Sequence, residues 1–277
     1  IFGYYTLIIV LKAIQQSFEI QQQKQQSSTL DANNSTHDNH LDDTEIAIEM
    51  DPRTFTKSKL KSLLQMGCNR ISLGVQSFHD PTLERIGRTH RQSDILDAVQ
   101  MIHDIKRDLG VPLSLSIDLI SGLPGLTLAQ WVETLQFAVN VIHPDHISVY
   151  DLQVEKGTVF GKWYGLNPND NYDEDDDDEN NTNHVNKTFS SKVSFEPLPK
   201  SSECAFMYRY ADGYLKSKGY EHYEISSYAK IGKRSKHNSN YWDIGAEWYG
   251  KHILFYNTTI SNFGWILHIS LSLSLSL

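Results

Sequence analysis

Apolar and polar residues alternate from Glu45 to Met50 (EIAIEM), the period of a strand with one buried face. The run stops at Asp51-Pro52, where proline removes a ladder donor. The period then changes: between Lys57 and Met66, Leu60, Leu63 and Leu64 recur at helical spacing, and Gly67 offers a left-handed C-cap. Arg70 to Val75 (RISLGV) predicts a second strand. Ile95, Leu96, Val99, Ile102, Ile105 and Leu109 restore the helical period up to Gly110, and Leu113 to Ile120 predicts a third strand. Thr127 and Gln130 have the spacing of a capping box for a helix that buries Trp131, Leu135, Ala138, Val139 and Ile142. Pro144 ends that helix, and His146 to Leu152 predicts a fourth strand. Further on, Glu203 to Lys218 places Phe206, Tyr210, Tyr214 and Leu215 on one helical side before Gly219. The segment from Tyr220 to Tyr228 (YEHYEISSY), Gly232 and the run from His237 to Trp242 follow.

Strands alternating with crossover helices return each strand in the same direction, so the class is α/β with parallel strands. In such folds reactive groups gather at the carboxyl ends of strands. Polar residues stand there: Glu49 and Asp51 after the first strand, Gln76 after the second, Asp118 late in the third, Tyr150 and Asp151 in the fourth. Each has an ordinary structural reading as well. Asp51 shapes a turn before Pro52, Gln76 caps a strand, Asp118 is a satisfied core carboxylate, and His237 hydrogen-bonds a nearby loop. Their convergence on one rim argues for a site, because burying a carboxylate without a partner is costly.

Composition narrows the classes. The 277 residues, 39% hydrophobic, suffice for one large domain or two small ones with a sizeable core. The formal charge is −9, yet eight of the 34 acidic residues lie between Asp170 and Glu179, and without them the balance against 25 basic residues is −1. A nearly neutral remainder without clustered Lys and Arg disfavours binding to nucleic acid or an anionic membrane. Residues 169–191 predict a solvated acidic insert, with no EF-hand spacing, and the Gln- and Ser-rich stretch of 15–39 a flexible connector. The apolar run from Ile1 to Leu11 is about half the ~20 residues of a membrane span and lacks a basic flank, so neither a span nor a signal peptide is expected. The Leu/Ser alternation from Ser270 has the period of one amphipathic strand or no structural meaning. Two cysteines, Cys68 and Cys204, support neither a disulfide framework nor a thiolate metal site and suit a reducing compartment.

Six ordered strings, IEMDPRTF, RISLGVQSFHDPTLERIGRTH, SIDLISGLPG, DHISVYDLQVEKGT, YEISSYAKIG and HNSNYW, resemble blocks of the radical S-adenosylmethionine proteins related to oxygen-independent coproporphyrinogen III oxidase. YEIS and HNSNYW resemble the HemW-type haem-chaperone branch in particular. The resemblance covers about 44–165 and 201–250. It implies a partial TIM-like (β/α) barrel, of which the four strands are the third to sixth, and a small C-terminal region. The division it implies is a flexible segment over 1–43, the partial barrel over 44–168, the acidic insert over 169–200, the C-terminal region over 201–250 and an unmatched tail over 251–277. By position, Glu49, Gln76, Arg88 and Asp118 match family residues that contact S-adenosylmethionine, with Ile120 an apolar contact. Carboxylate and amide acceptors suit its ammonium and hydroxyls, and a guanidinium suits its carboxylate. His237, Tyr241 and Trp242 match the block associated with haem, where an imidazole on iron and rings against a macrocycle are reasonable chemistry.

The resemblance also implies a 4Fe-4S cluster held by a CxxxCxxC loop, and a GGGTP-like loop, and neither string is in the chain. Cys68 in MGCNR and the distant Cys204 make no three-thiolate set, so radical chemistry by the chain as written is not expected. The simplest account is a chain lacking the first two β/α units. Three readings stand: a haem chaperone that passes haem to acceptor proteins, a coproporphyrinogen III oxidase, and a cluster-less haem-binding or scaffold module. The expected setting is the cytoplasm, or a mitochondrion or plastid if a transit peptide precedes the chain.

Overall fold

The structure is a computed structural model and describes residues 45–164 and 196–242, together with the backbone of Ile266–Ser270. Its strands are β1 (Glu45–Met50), β2 (Arg70–Gln76), β3 (Ser114–Ser121), β4 (His146–Asp151), β5 (Glu221–Glu224), β6 (Ser227–Ala229) and β7 (Ile266–Ser270). Its helices are α1 (Lys57–Gln65), α2 (Asp80–Arg85), α3 (Gln92–Leu109), α4 (Leu128–Phe137), α5 (Val159–Trp163), α6 (Ser201–Ser217) and α7 (Lys236–Asn240). One sheet in the order β5-β6-β4-β3-β2-β1-β7 contains every strand. β1 to β4 are mutually parallel, as the alternating strand and helix pattern requires, and β6 and β5 then join β4 antiparallel.

A parallel sheet covered by helices on both faces reads as continuous apolar runs. These strands alternate instead. Ile48 and Met50, Ile71, Leu73 and Val75, Leu115, Ile117 and Leu119, and Ile147 and Val149 form the apolar face. That face shares one buried core with Leu60, Leu63 and Leu64 of α1, Ile95, Val99, Ile102 and Ile105 of α3, and Trp131 and Leu135 of α4. Trp131 is fully buried and donates its indole N–H to the Met207 carbonyl at 2.9 Å, which ties α4 to α6. The opposite face carries Glu45, Ala47 and Glu49, then Arg70, Ser72 and Gly74, then Ser114, Ser116 and Asp118, then His146, Ser148 and Tyr150. The longer helices pack on the apolar face, and the polar face, approached by the short α7, is left to line a site.

The predicted elements are present with small changes of boundary. α1 stops at Gln65, β2 runs on to Gln76, α3 begins at Gln92, and β4 ends at Asp151 rather than Leu152. The Thr127–Gln130 capping box forms as read, with Thr127 Oγ1 accepting from Gln130 N. Ala138, Val139 and Ile142, expected to continue that helix, fall on a single π-helical turn (Ala138–Ile142) ended by left-handed His143. Five features have no sequence prediction behind them: α2, α5, α7, the β5–β6 hairpin and β7. The three helices are six residues or fewer, too short to repeat an apolar period, and α2 is set by Pro81 in its first turn. β7 pairs parallel with β1 just before the Leu/Ser repeat, whose residues after Ser270 lie outside the described part, as do 1–43, the acidic run and 251–265.

Candidate functional site

The polar face of the sheet holds a small open pocket of about 40 Å³. Glu49, Ser72, Asp118, Ser148 and Tyr150 line its upper part. Arg70, Ser116, His146, Ser235, His237 and Asn238 line the rest. Glu49 and Asp118 therefore meet in one cavity, and His237 reaches the same cavity from α7.

Asp118 projects inward from β3, and Ser72 Oγ lies 3.1 Å from both of its carboxylate oxygens. Burial pushes its pKa up to about 6, and the nearby charges of Glu49 and Asp51 add to the rise, while the Ser148 and Ser72 hydroxyls oppose it. Tyr150 is likewise pushed up to about 12, by burial first and then by Asp118. The pocket thus presents a carboxylate that is desolvated and supported only by hydroxyls, a state that a cationic guest would relieve.

Gly74 sits opposite Asp118 in the β2–β3 register. A Cβ there would lie 2.6 Å from Asp51 Oδ1 and 3.0 Å from Gln76 Nε2, so only glycine lets both side chains close over the strand end. Gln76 is buried and left-handed (φ 64°), an uncommon backbone for a residue with a side chain. Arg88 Nη1 donates to Asp51 Oδ1 at 3.0 Å. Gln76 and Arg88 thus stand at the carboxyl end of the strands, Arg88 paired with Asp51, and neither lines the pocket that holds Glu49 and Asp118. Ile120 follows Asp118 by one alternation of β3 and is partly buried against the core. Tyr241 and Trp242 do not line the pocket: they lie beyond it, 64% and 58% exposed, with the Tyr241 ring edge-on to His237 at 5.1 Å.

The floor is a hydrogen-bonded polar layer. Arg70 Nε donates to Glu45 Oε2 at 2.7 Å, both side chains being 8% exposed. Arg70 Nη2 donates to the carbonyls of Lys233 and Arg234, and Glu45 accepts from Ser235 Oγ and the backbone N–H groups of Lys236 and His237. That pair clamps the entry to α7 onto the sheet and so sets the position of His237. Tyr223 Oη accepts the Ser235 backbone N–H at 3.2 Å, and the His146 ring lies between two hydroxyls, with Nε2 2.7 Å from Tyr223 Oη and Nδ1 2.8 Å from Ser116 Oγ. Burial, with the Arg70 charge second, drives the His146 pKa down to about 3. The neutral ring contributes stability that is complete above the unfolded value near 6.5 and is lost as pH falls toward 3. In an Asp118→Asn background, which removes an opposing titration, the unfolding free energy from urea titration is expected to drop by a few kcal/mol between pH 7 and 4, and His146→Gln to remove most of that slope; an unchanged slope would locate the titration elsewhere.

Arg70, Ser72, Ser116, His146 and Ser148 were not singled out by reading the sequence. Their signal is the same period of two that predicts the strands, followed on its polar phase.

Cys68 is buried, its thiol donates to the Arg70 carbonyl, and burial pushes its pKa up to about 12. Burial also raises Cys204, with Asp151 adding to the rise. Neither is poised as a thiolate, and among the described residues no group of three His, Cys, Asp or Glu could hold a metal. The residues present therefore do not fit a 4Fe-4S cluster. They do fit S-adenosylmethionine, whose cationic sulfonium and ammonium match the desolvated Asp118 and Glu49. Among the described residues no helix is long and apolar enough to cross a membrane.

Comparison with known proteins bears on the family and the fold. The family described as the Radical SAM superfamily matches residues 11–138. The chain is 36% identical over 200 residues to "Heme chaperone HemW" of Synechocystis sp., a match covering 72% of this chain and 40% of that protein. It is 33% identical to "Heme chaperone HemW" of Bacillus subtilis, covering 72% and 44%. It is 30% identical to "Radical S-adenosyl methionine domain-containing protein 1, mitochondrial" of Bos taurus, covering 73% and 38%. The chain thus spans less than half the length of these curated relatives. Among solved structures, the Escherichia coli radical SAM enzyme coproporphyrinogen III oxidase (HemN) shares the fold with a TM-score of 0.50 at 23% identity, over 69% of this chain and 36% of that one. The parallel strands β1 to β4, with the longer helices on one face, are accordingly part of a TIM-like barrel, and the chain belongs to the radical S-adenosylmethionine superfamily, among its HemW-like members.

Proposed function

We propose that this chain handles haem in the manner of a HemW-like chaperone, holding S-adenosylmethionine at Glu49, Asp118, Gln76 and Arg88 and taking haem through His237 for delivery to acceptor proteins. The observation that carries the reading is the convergence of His237 with Glu49 and Asp118 on one pocket. The names of the relatives support the haem side of it. S-adenosylmethionine supplies, when bound, a sulfonium cation beside the buried carboxylates. This chain's own residues do the rest: Asp118 and Glu49 offer negative charge, Gln76 and Arg88 frame the rim, Ile120 adds an apolar contact, and the Glu45–Arg70 clamp holds His237 in place. Tyr241 and Trp242 offer exposed ring faces next to His237 on which a macrocycle could stack. The thiolates that would hold a cluster are not in this sequence. The free thiols fit a reducing compartment, either the cytoplasm or an organelle matrix.

Haemin titrated into the protein is expected to give a shifted Soret band that saturates, and His237→Ala to weaken that binding at least ~10-fold, the loss of one iron ligand. Saturation with the same affinity in the variant would remove His237 from the haem site.

A further inference from the structure

Every nitrogen of the Arg70 guanidinium is accounted for except one. Nε holds Glu45, and Nη2 holds the carbonyls of Lys233 and Arg234, but Nη1 is buried and has no acceptor. The Arg70 side chain is 8% exposed and lines the pocket. A second orphan lies beside it. Ser114 is the register partner of Arg70 across β2 and β3, and its Oγ is also buried without a partner. Buried donors are nearly always satisfied, because a lost acceptor leaves the full desolvation penalty. Two such atoms on directly opposed residues, of which Arg70 lines the open pocket, mark a place prepared for an acceptor that comes from outside the chain.

Glu45 does not quench this edge. It takes four donors, from Arg70 Nε, Ser235 Oγ, and the N–H groups of Lys236 and His237, so its charge is spread over the start of α7. The Arg70 charge is still felt at His146, whose protonation it opposes. At the other end of the pocket Glu49 and Asp118 carry negative charge. The pocket is therefore bipolar, with a guanidinium at the floor and carboxylates above it.

We propose that Arg70 Nη1 and Ser114 Oγ form a carboxylate-binding subsite at the pocket floor, so that ligands enter with an acid group leading and any cationic centre held back at Glu49 and Asp118. Two ligand sources share this chemistry, the aminoacyl carboxylate of S-adenosylmethionine and a porphyrin propionate. Assigning either source rests on the functional reading above; the subsite itself does not.

The test compares each parent with its acid-free counterpart on the intact protein: S-adenosylmethionine against its decarboxylated analogue by calorimetry, and haemin against haemin dimethyl ester by absorbance. Removing the acid is expected to weaken one pair by about tenfold to a hundredfold, the worth of a charge-assisted hydrogen bond, and the pair affected names the source. Arg70→Lys, which keeps the charge but loses the fork, is expected to abolish that discrimination. Equal affinity within both pairs, or discrimination that survives in Arg70→Lys, overturns the subsite. If neither parent binds, the haem and sulfonium reading falls and acetate decides the subsite. Acetate at ~100 mM is then expected to raise the melting temperature of the wild-type protein by about 2 °C or more over chloride at equal ionic strength. No difference between the two salts overturns it, whether or not Arg70→Lys folds.

Discussion

Arg70→Met is expected to lower stability by about 3–5 kcal/mol, because it leaves Glu45 charged and buried without its cation. The loss has two parts. The Glu45 carboxylate keeps three weaker donors at 3.3 to 3.4 Å but loses the one at 2.7 Å, and the carbonyls of Lys233 and Arg234 lose Nη2. The double replacement Glu45→Leu with Arg70→Met is expected to recover much of the stability, since a buried ion pair is rarely better than apolar groups of similar volume. It is not expected to recover haemin binding, because the clamp that places His237 is gone. Urea unfolding of the two variants, with haemin titration of the double one, checks both statements. A single variant within about 1 kcal/mol of wild type would mean that the pair is solvated in practice, which is the behaviour of a surface pair.

Asp118→Asn is expected to work in the opposite direction and raise stability at neutral pH by on the order of 2–3 kcal/mol, or roughly 5–10 °C in melting temperature. The folded-state pKa of Asp118, about 6, lies above its unfolded value. Between the two values the native state binds more protons than the unfolded state, so stability falls as pH rises through this window. An amide carries no charge and escapes that penalty. The gain should vanish below about pH 4, where the carboxyl is protonated in both states. In the same variant S-adenosylmethionine is expected to bind at least ~10-fold more weakly, since a charge partner has gone. Greater stability together with weaker binding is the mark of a residue kept for its ligand. A variant that is less stable at pH 7.5 would show that Asp118 serves the core, the ordinary reading of a carboxylate inside an apolar strand.

His146 and Asp118 titrate in overlapping ranges with opposite effects. Acidification from pH 7 removes the contribution of neutral His146 while relieving Asp118, so the wild-type stability profile is flatter than either group alone would make it.

The strands and long helices were legible because each carries its own period: Glu45 to Met50 alternates by two, and Ile95 to Leu109 recurs at helical spacing. The caps at Gly110 and Thr127 were legible for a similar local reason. At the site, the strand-end carboxylates Glu49, Asp51 and Asp118 could be picked out by position, and the structure gathers them. What could not be read is pairing across distance. Arg70 opens its strand as an ordinary polar residue, and nothing in RISLGV indicates that it meets Glu45 and Lys233. His146 gives no hint of Tyr223, and His237 none of Glu45. The hairpin β5–β6 escaped because YEHYEISSY alternates poorly and its two strands are four and three residues long. Its place beside β4 is fixed by the sheet, not by local propensity.

The clamp has a consequence for biosynthesis. Arg70 reaches Lys233 across 163 positions, and Glu45 reaches Ser235 across 190. On the ribosome, β1 to β4 emerge and can zip together long before residues 233–237 leave the exit tunnel, at about 5–20 residues per second. For roughly 4 to 17 seconds the nascent sheet would hold the Glu45–Arg70 pair with Arg70 Nη2 and the remaining carboxylate lone pairs uncovered, a window in which a co-translational chaperone, or simply water, must stand in for the missing strap.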